Sequence, residues 1–358
     1  MDTSLAQDCA RRVEAGERLG RADALSLLAG AEQDPWPLLH AAHRIGRRFR
    51  GRTVYLCSIA AVKLGRCSED CRWCAQSAHW QTGIRPHGLL STKELLRAAE
   101  AAADAGARHF GLVSSGGRLS PGEFDAVLAA GREIRRRTGL EMCASLGALA
   151  PEAARRLVEA GFVRYNHNLE TSARHFPNVC TTHAYEDRVR SARTAVEAGL
   201  ELCCGGLFGM GETDEDRVDL ALAVRDIGAH VVPLNFLHPI PGTPLAGAAA
   251  LAPMKILSVV AVFRLLLPDR IIKVAGGRGH NLRDLQALMF LAGADSCIIG
   301  NLLATPGRPP EEDLAMIRDL GLEPAAARSE KVSGTLSRGV PDTFSDSAAG
   351  DSPGANHA

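Results

Sequence analysis

Gly65-Arg66-Cys67-Ser68-Glu69-Asp70-Cys71-Arg72-Trp73-Cys74-Ala75-Gln76-Ser77 carries three cysteines at C-x₃-C-x₂-C spacing. A closed tetrahedral zinc site takes four nitrogen or sulfur ligands, and an ordinary iron–sulfur cubane takes four thiolates. This loop is one thiolate short. Wrapped around a cubane, it leaves one iron open to another ligand. Two plainer readings compete: small buried core cysteines, or a zinc site with a remote fourth ligand. The Arg, Glu, Asp, Gln and Ser between and beside the thiols are poor company for a buried core.

The loop follows an apolar, β-rich run at residues 54–61, and that pattern repeats along the chain. Further runs lie at 109–114, 141–146, 162–166, 201–207, 230–236, 271–274 and 296–299. Amphipathic helical stretches separate most of them, at 92–105, 123–137, 152–160, 185–198, 215–227, 253–266 and 282–292, with a last helix near 311–319. Gly106, Gly139, Gly161, Gly199, Gly228 and Gly293 stand where these helices stop; glycine adopts the left-handed conformation of a helix C-cap at little cost. Alternating strand and helix implies parallel pairing. Eight such units predict an α/β fold, a (β/α)₈ TIM-type barrel over residues 51–322. Residues 1–50 read as N-terminal helices, at 19–30 and 35–49, with Arg47, Arg48, Arg50 and Arg52 as a solvated basic face. Residues 323–358 form an extension whose end, rich in Ser, Ala, Gly, Asp and Pro, predicts disorder.

Composition narrows the function. The 358 residues are 46% hydrophobic, enough for one large core. Forty-one basic residues balance forty-one acidic ones, which argues against a nucleic-acid partner. No run is long and apolar enough to cross a membrane, and residues 1–20 lack the apolar centre of a secretion signal. A cytoplasmic location is therefore expected, where the ten cysteines serve metal binding or chemistry rather than disulfides.

In such barrels chemistry sits on loops at the C-terminal ends of the strands. Cys67–Cys74 follows the first strand, Ser114-Ser115-Gly116-Gly117 the second, and Tyr165-Asn166-His167-Asn168-Leu169-Glu170-Thr171-Ser172 ends the fourth. The cysteine spacing resembles that of radical S-adenosylmethionine enzymes. With its flanks Ala75-Gln76-Ser77-Ala78-His79, and with the strand-four segment, the chain resembles the biotin synthase family from about Val54 to Leu322.

That resemblance implies an enzyme, a sulfurtransferase that inserts sulfur into dethiobiotin to give biotin. It implies S-adenosylmethionine, cleaved at a [4Fe-4S] cluster on Cys67, Cys71 and Cys74 to a 5′-deoxyadenosyl radical. Ser114, Ser115 and Gly116 match the segment that holds the methionine amino group, though an ordinary turn is the competing reading. Asn168 and Glu170 match ligand contacts, Glu170 toward ribose hydroxyls; capping of the next turn is the alternative. Arg188 matches the arginine that pairs with the S-adenosylmethionine carboxylate, against a plain surface ion pair. Asn168, Asn235 and Thr305 match contacts to dethiobiotin, with Ala304 where a second threonine is common.

The resemblance also implies an auxiliary iron–sulfur cluster that donates sulfur. Cys143 and Cys203 match its ligands, but the strand-two cysteine position is Gly111 and the strand-seven arginine position is Lys273. Lysine lacks the planar guanidinium and must lose a proton to ligate. Cys180, in the loop after strand four, is the expected replacement, giving Cys143, Cys180 and Cys203 as the set, in a subgroup with a different cluster type. Of Cys203 and Cys204, a regular strand turns only one inward. Cys9, Cys57 and Cys297 read as inert thiols. The family further implies a flavodoxin- or ferredoxin-type electron donor and a homodimer. A radical enzyme on another small substrate, like the hydrogenase maturases, and a non-catalytic iron–sulfur protein are the rival functions.

Overall fold

The computed structural model describes residues 3–303 and 305–325. Ala304 and most of the expected tail lie outside them. Ten strands and twelve α-helices are described. The barrel staves are β1 (Thr53–Lys63), β2 (His109–Ser114), β3 (Glu141–Ser145), β4 (Phe162–Asn166), β5 with β6 (Glu201–Cys203, Gly206–Phe208), β7 (Val231–Phe236), β8 (Ile271–Val274) and β9 (Ser296–Ile298). Every pairing is parallel, and β1 closes the ring by bonding to both β2 and β9.

Local chemistry sets the helices between the strands. In α4 (Thr92–Asp104), Ser91 caps the Glu94 amide while Glu94 bonds back to the cap; Ser120 with Glu123 on α5 (Pro121–Thr138) and Thr213 with Asp216 on α8 (Asp214–Ile227) repeat the device. Gly139 (φ 69°) and Gly228 (φ 84°) end α5 and α8 in left-handed caps.

The N-terminal helices α1 (Thr3–Glu14), α2 (Arg21–Ala31) and α3 (Trp36–Arg50) share the barrel's core rather than forming one of their own. They explain α9 (Pro253–Leu266), in which every residue from Ile256 to Leu266 is buried. A helix apolar all round needs covering on its outer side, and α2 and α3 pack there.

An ion network pins α3 and α9 to the barrel base. The fully buried Arg264 donates to Asp295 Oδ1 (2.8 Å) and to the Gly293 carbonyl (2.8 Å). Arg50 holds the other Asp295 oxygen at 2.6 Å, and the Ile272 amide also donates to Asp295. Arg50 is thus a tie rather than part of a solvated face; Arg52 bonds the Gly321 carbonyl but is exposed, as is Arg48. Removing one partner of a buried pair strands the other charge, so Asp295→Ala is expected to cost about 3–5 kcal/mol. Urea unfolding of the variant checks this.

Three expectations shift. The run at 201–207 breaks into β5 and β6 because Gly205 lies against Pro233; a Cβ there would sit 2.0 Å from the Pro233 carbonyl oxygen. The helix at 282–292 becomes α10 (Arg278–Leu282), a 3₁₀ turn and α11 (Leu288–Leu291), broken at Arg283 (φ 51°). After α12 (Pro310–Asp319), Glu323–Pro324 forms β10 beside Thr53 and Val54, so order continues past residue 322.

Candidate active site

At the end of β1 the chain turns through Gly65 (φ 76°) and Arg66 (φ 50°) into the cysteine loop. Backbone bonds close the loop on itself: Cys67 N to Gln76 O (2.9 Å), Ala78 N to Cys67 O (2.8 Å) and Cys74 N to Cys71 O (3.0 Å). The Trp80 indole donates to the Cys71 carbonyl. Cys67, Cys71 and Cys74 thereby line one cavity of about 420 Å³. It opens at the C-terminal ends of the strands, walled by Ser114–Gly117, Asn166–Asn168, Glu170, Arg188, Asn235 and Lys273.

The serine–glycine turn is packed as a floor. Gly147 lies so close that a Cβ there would come within 2.3 Å of the Gly117 carbonyl oxygen. The Tyr165 hydroxyl holds the Gly147 carbonyl at 2.8 Å, and Ser115 Oγ ties the turn to the Gly65 carbonyl at 2.8 Å. Its side chains are spent on structure, so a ligand meets backbone.

Glu170 has φ 70°, a conformation a non-glycine residue holds only when its surroundings impose it. Its amide donates to the Gly205 carbonyl, and its own carbonyl accepts from Leu207 N (2.8 Å). Burial raises the Glu170 carboxyl pKa, with Arg188 opposing, its Nη1 3.6 Å away. Arg188 also donates to the Asn168 carbonyl at 3.0 Å, and Asn168 Oδ1 accepts from Gly205 N. Burial pushes His167 down to about 3, so it is a neutral imidazole at neutral pH. Two buried atoms here, Asn166 Oδ1 and Arg188 Nε, have no partner. Buried polar atoms rarely stay unpaired, and both residues face a cavity with room for a polar ligand.

A buried layer of thiols and cations extends inward from Lys273 in the cavity wall. Lys273 Nζ lies 3.7 Å from Cys203 Sγ. Burial alone would raise the Cys57 pKa, but Lys273, a His109 hydrogen bond and Arg164 together bring it below its usual range. Cys143 and Cys203 feel the same two cations, although burial prevails and their values rise. Conversely, Cys203 and Cys57 raise Lys273 against its burial. Gly111 faces this layer, and a Cβ on it would sit 3.9 Å from Cys143 Cβ.

The expected trio of Cys143, Cys180 and Cys203 is therefore not brought together. Cys180 lies 3.8 Å from Cys71, on the cysteine loop, because the loop after β4 is bolted to Asp70 through Thr181 and Thr182. The thiol that joins Cys143 and Cys203 in the buried layer is Cys57 of β1, which by sequence alone reads as an inert thiol. Cys204 packs outward in the apolar core while Cys203 faces Lys273.

A second recess of about 340 Å³ shares Cys74, Asn168, Glu170 and Asn235 with the first. Trp73, Leu207, Leu237, Leu302 and Leu303 line it, with His238 and Thr305 as polar groups beside them. The Asn235 amide bonds the Gly206 carbonyl (3.0 Å) and the Gly276 amide (2.9 Å), leaving one N–H and one lone pair for a ligand.

Three thiols on one loop, an open cavity above them and an unpaired buried guanidinium nitrogen beside it suit a cluster with an exchangeable position and an anionic ligand. The comparisons agree with this class: the Radical SAM superfamily matches residues 62–224, and the Biotin and Thiamin Synthesis associated domain matches residues 233–323. Solved structures of methylornithine synthase (19% identity, TM-score 0.77, covering 88% of this chain and 97% of that one) and of the FeFe-hydrogenase maturase HydG from Carboxydothermus hydrogenoformans (18%, 0.75, 90% and 80%) share the fold.

Sequence relatives are more specific. Biotin synthase of Geobacter sulfurreducens is 50% identical over 317 residues, 88% of this chain and 96% of its own length. That of Heliobacterium modesticaldum is 46% identical over 308 residues, 86% and 94%. The chain belongs to the biotin synthase family, and membership implies a [4Fe-4S] cluster and S-adenosylmethionine.

Proposed function

We propose that this enzyme converts dethiobiotin to biotin, replacing two C–H bonds at saturated carbons with two C–S bonds. The observation that carries the reading is the joined pair of recesses, one beside three loop thiols and one apolar, over a buried layer of three more thiols. Cys67, Cys71 and Cys74 would hold the [4Fe-4S] cluster, which when bound supplies the electron for reductive cleavage of S-adenosylmethionine.

The rest falls to the chain's own groups. Arg188 offers its free Nε–H to the methionine carboxylate, and Glu170 offers acceptor oxygens to ribose hydroxyls. The Ser114–Gly117 backbone approaches the amino group. Asn168 and Asn235 lie where the two recesses meet, suited to the polar ring of dethiobiotin. Leu237, Leu302 and Leu303 suit its alkyl chain, and His238 and Thr305 its carboxylate. With substrate seated, the apolar lining of Trp73, Leu237, Leu302 and Leu303 keeps water from the reacting carbon.

Cys57, Cys143 and Cys203 form the donor set for the auxiliary sulfur-donating cluster. Soft thiolates suit iron–sulfur chemistry, and Lys273 and Arg164 offset their negative charge. A flavodoxin- or ferredoxin-type donor, a homodimer and a cytoplasmic setting complete the reading; no helix among the described residues is long and apolar enough to cross a membrane.

The deciding experiment is anaerobic reconstitution with iron and sulfide, followed by S-adenosylmethionine, a strong reductant and dethiobiotin. Biotin should appear with 5′-deoxyadenosine. Cleavage of S-adenosylmethionine without biotin would assign the chain to another substrate.

Two variants test the pocket. A hydrogen bond to a charged group contributes about 1.5–3 kcal/mol, so Arg188→Leu should raise the Kd for S-adenosylmethionine roughly 10- to 150-fold. Equilibrium binding to the reconstituted enzyme measures this. His238→Leu should raise the KM for dethiobiotin and leave binding of S-adenosylmethionine unchanged; equal weakening of both would remove His238 from the substrate end.

A further inference from the structure

Cys180 and His183 have no part in the function above, yet they sit against the cysteine loop. Cys71 Sγ, Cys180 Sγ and a His183 ring nitrogen all lie within 4.8 Å of one another. Cys71 and Cys180 are 3.8 Å apart, and Cys180 Sγ is 3.8 Å from His183 Nε2. With Zn–S near ~2.3 Å and Zn–N near ~2.0 Å, tetrahedral angles put paired sulfurs about 3.8 Å apart and sulfur and nitrogen about 3.5 Å apart. The two sulfurs already stand at that edge; Cys180 Sγ lies 3.4 Å from His183 Nδ1 and 3.8 Å from Nε2, so ligation through Nε2 needs the ring to turn toward the sulfurs.

The surroundings fit as well. Glu69 Oε2 accepts from His183 Nδ1 at 2.7 Å. A carboxylate on Nδ1–H leaves Nε2 as the nitrogen free to ligate, the arrangement of an outer carboxylate on metal-bound histidine. Asp70 Oδ1 accepts from the Thr181 and Thr182 amides (2.9 and 3.1 Å), which holds the Cys180 segment against the loop. It also takes the Cys180 thiol proton at 3.3 Å, a bond that ligation would release.

We propose that Cys71, Cys180 and His183 form a mononuclear site for a zinc-type divalent ion in the cluster-free chain, with water as fourth ligand. Because this ion needs Cys71, it and the [4Fe-4S] cluster exclude each other. The metal site stands on its own geometry; the exclusion rests on the assignment of Cys71 to the cluster. Free zinc would then keep the enzyme unloaded, and Cys180 would make cluster loading sensitive to zinc.

The test uses the full chain, stripped of iron by chelator under reductant and titrated with Co(II) as a coloured probe. One equivalent should give the intense visible bands of tetrahedral cobalt and a near-ultraviolet sulfur-to-cobalt band, both erased by Zn(II). Cys180→Ser and His183→Gln should each weaken Co(II) binding by at least about 10-fold, while Cys67→Ser should bind it like the parent. One equivalent of Zn(II) added before iron and sulfide should block reconstitution of the parent but not of Cys180→Ser. The site is overturned if tetrahedral bands are missing from the parent, survive both substitutions, or vanish in Cys67→Ser. If the bands follow Cys180 and His183 but zinc leaves reconstitution intact, the exclusion and its premise at Cys71 fail while the site stands.

Discussion

Cys57→Ser is expected to abolish biotin formation while S-adenosylmethionine is still cleaved. The substitution changes one atom in the buried layer, on the strand that precedes the cysteine loop. Serine fills nearly the same volume, so the barrel stays packed, but its hydroxyl does not ionise in this range and is a poor iron ligand. Lys273 and Arg164, which with the His109 hydrogen bond hold the Cys57 thiol toward its ionised form, lose a negative neighbour. Iron and sulfide per chain should fall to the content of the [4Fe-4S] cluster alone, and 5′-deoxyadenosine should form without biotin. Cys180→Ser is the companion: it should keep both iron pools, since Cys180 lies beside Cys71 rather than in the layer. The opposite pattern, with iron lost from Cys180→Ser and kept in Cys57→Ser, would restore the trio expected from sequence and remove Cys57 from the site.

Cys74→Ala should silence the enzyme at an earlier point. Cys74 lines both recesses, and its backbone is fixed to Cys71 O within the loop. With two loop thiols left, the remaining ligand set cannot hold a cubane against loss of iron. Cleavage of S-adenosylmethionine and formation of biotin should both drop by at least ~10³-fold, as for the loss of one member of a group that acts as a unit. The absorbance of the [4Fe-4S] cluster and the 5′-deoxyadenosine yield read the result. A variant that still cleaved S-adenosylmethionine at the parent rate would move the cluster off this loop.

Much of this was legible from the chain. The glycine stops and the alternating runs located all eight staves, since they report local preferences that tertiary packing did not override. The loop thiols were legible from their spacing, and Asn168, Glu170 and Arg188 from the matched family segments; the structure brings all six to one cavity. Cys57 was missed for a physical reason. Strands of a closed parallel barrel are buried on both faces, so β1 shows no polar alternation to mark which residues turn inward. Cys180 misled for the converse reason: it lies in a loop, and only the hydrogen bonds of Asp70 decide which wall that loop meets. One signal was available. Tyr55, Cys57 and Ile59 share a face by alternation, and in the structure Ile59 pairs with Gly111, the position matched to the family's strand-two cysteine.

Strand β1 carries Cys57 in its body and the cysteine loop at its tip. If both hold iron, a single rigid ladder acts as the ruler between the two metal centres. Each residue of a strand adds about 3.3 Å and reverses the side chain's direction. A one-residue insertion in β1 would therefore alter the gap and turn Cys57 away in the same stroke. Natural variation in that separation has to come from the turn at Gly65 and Arg66, leaving the length of the strand itself untouched.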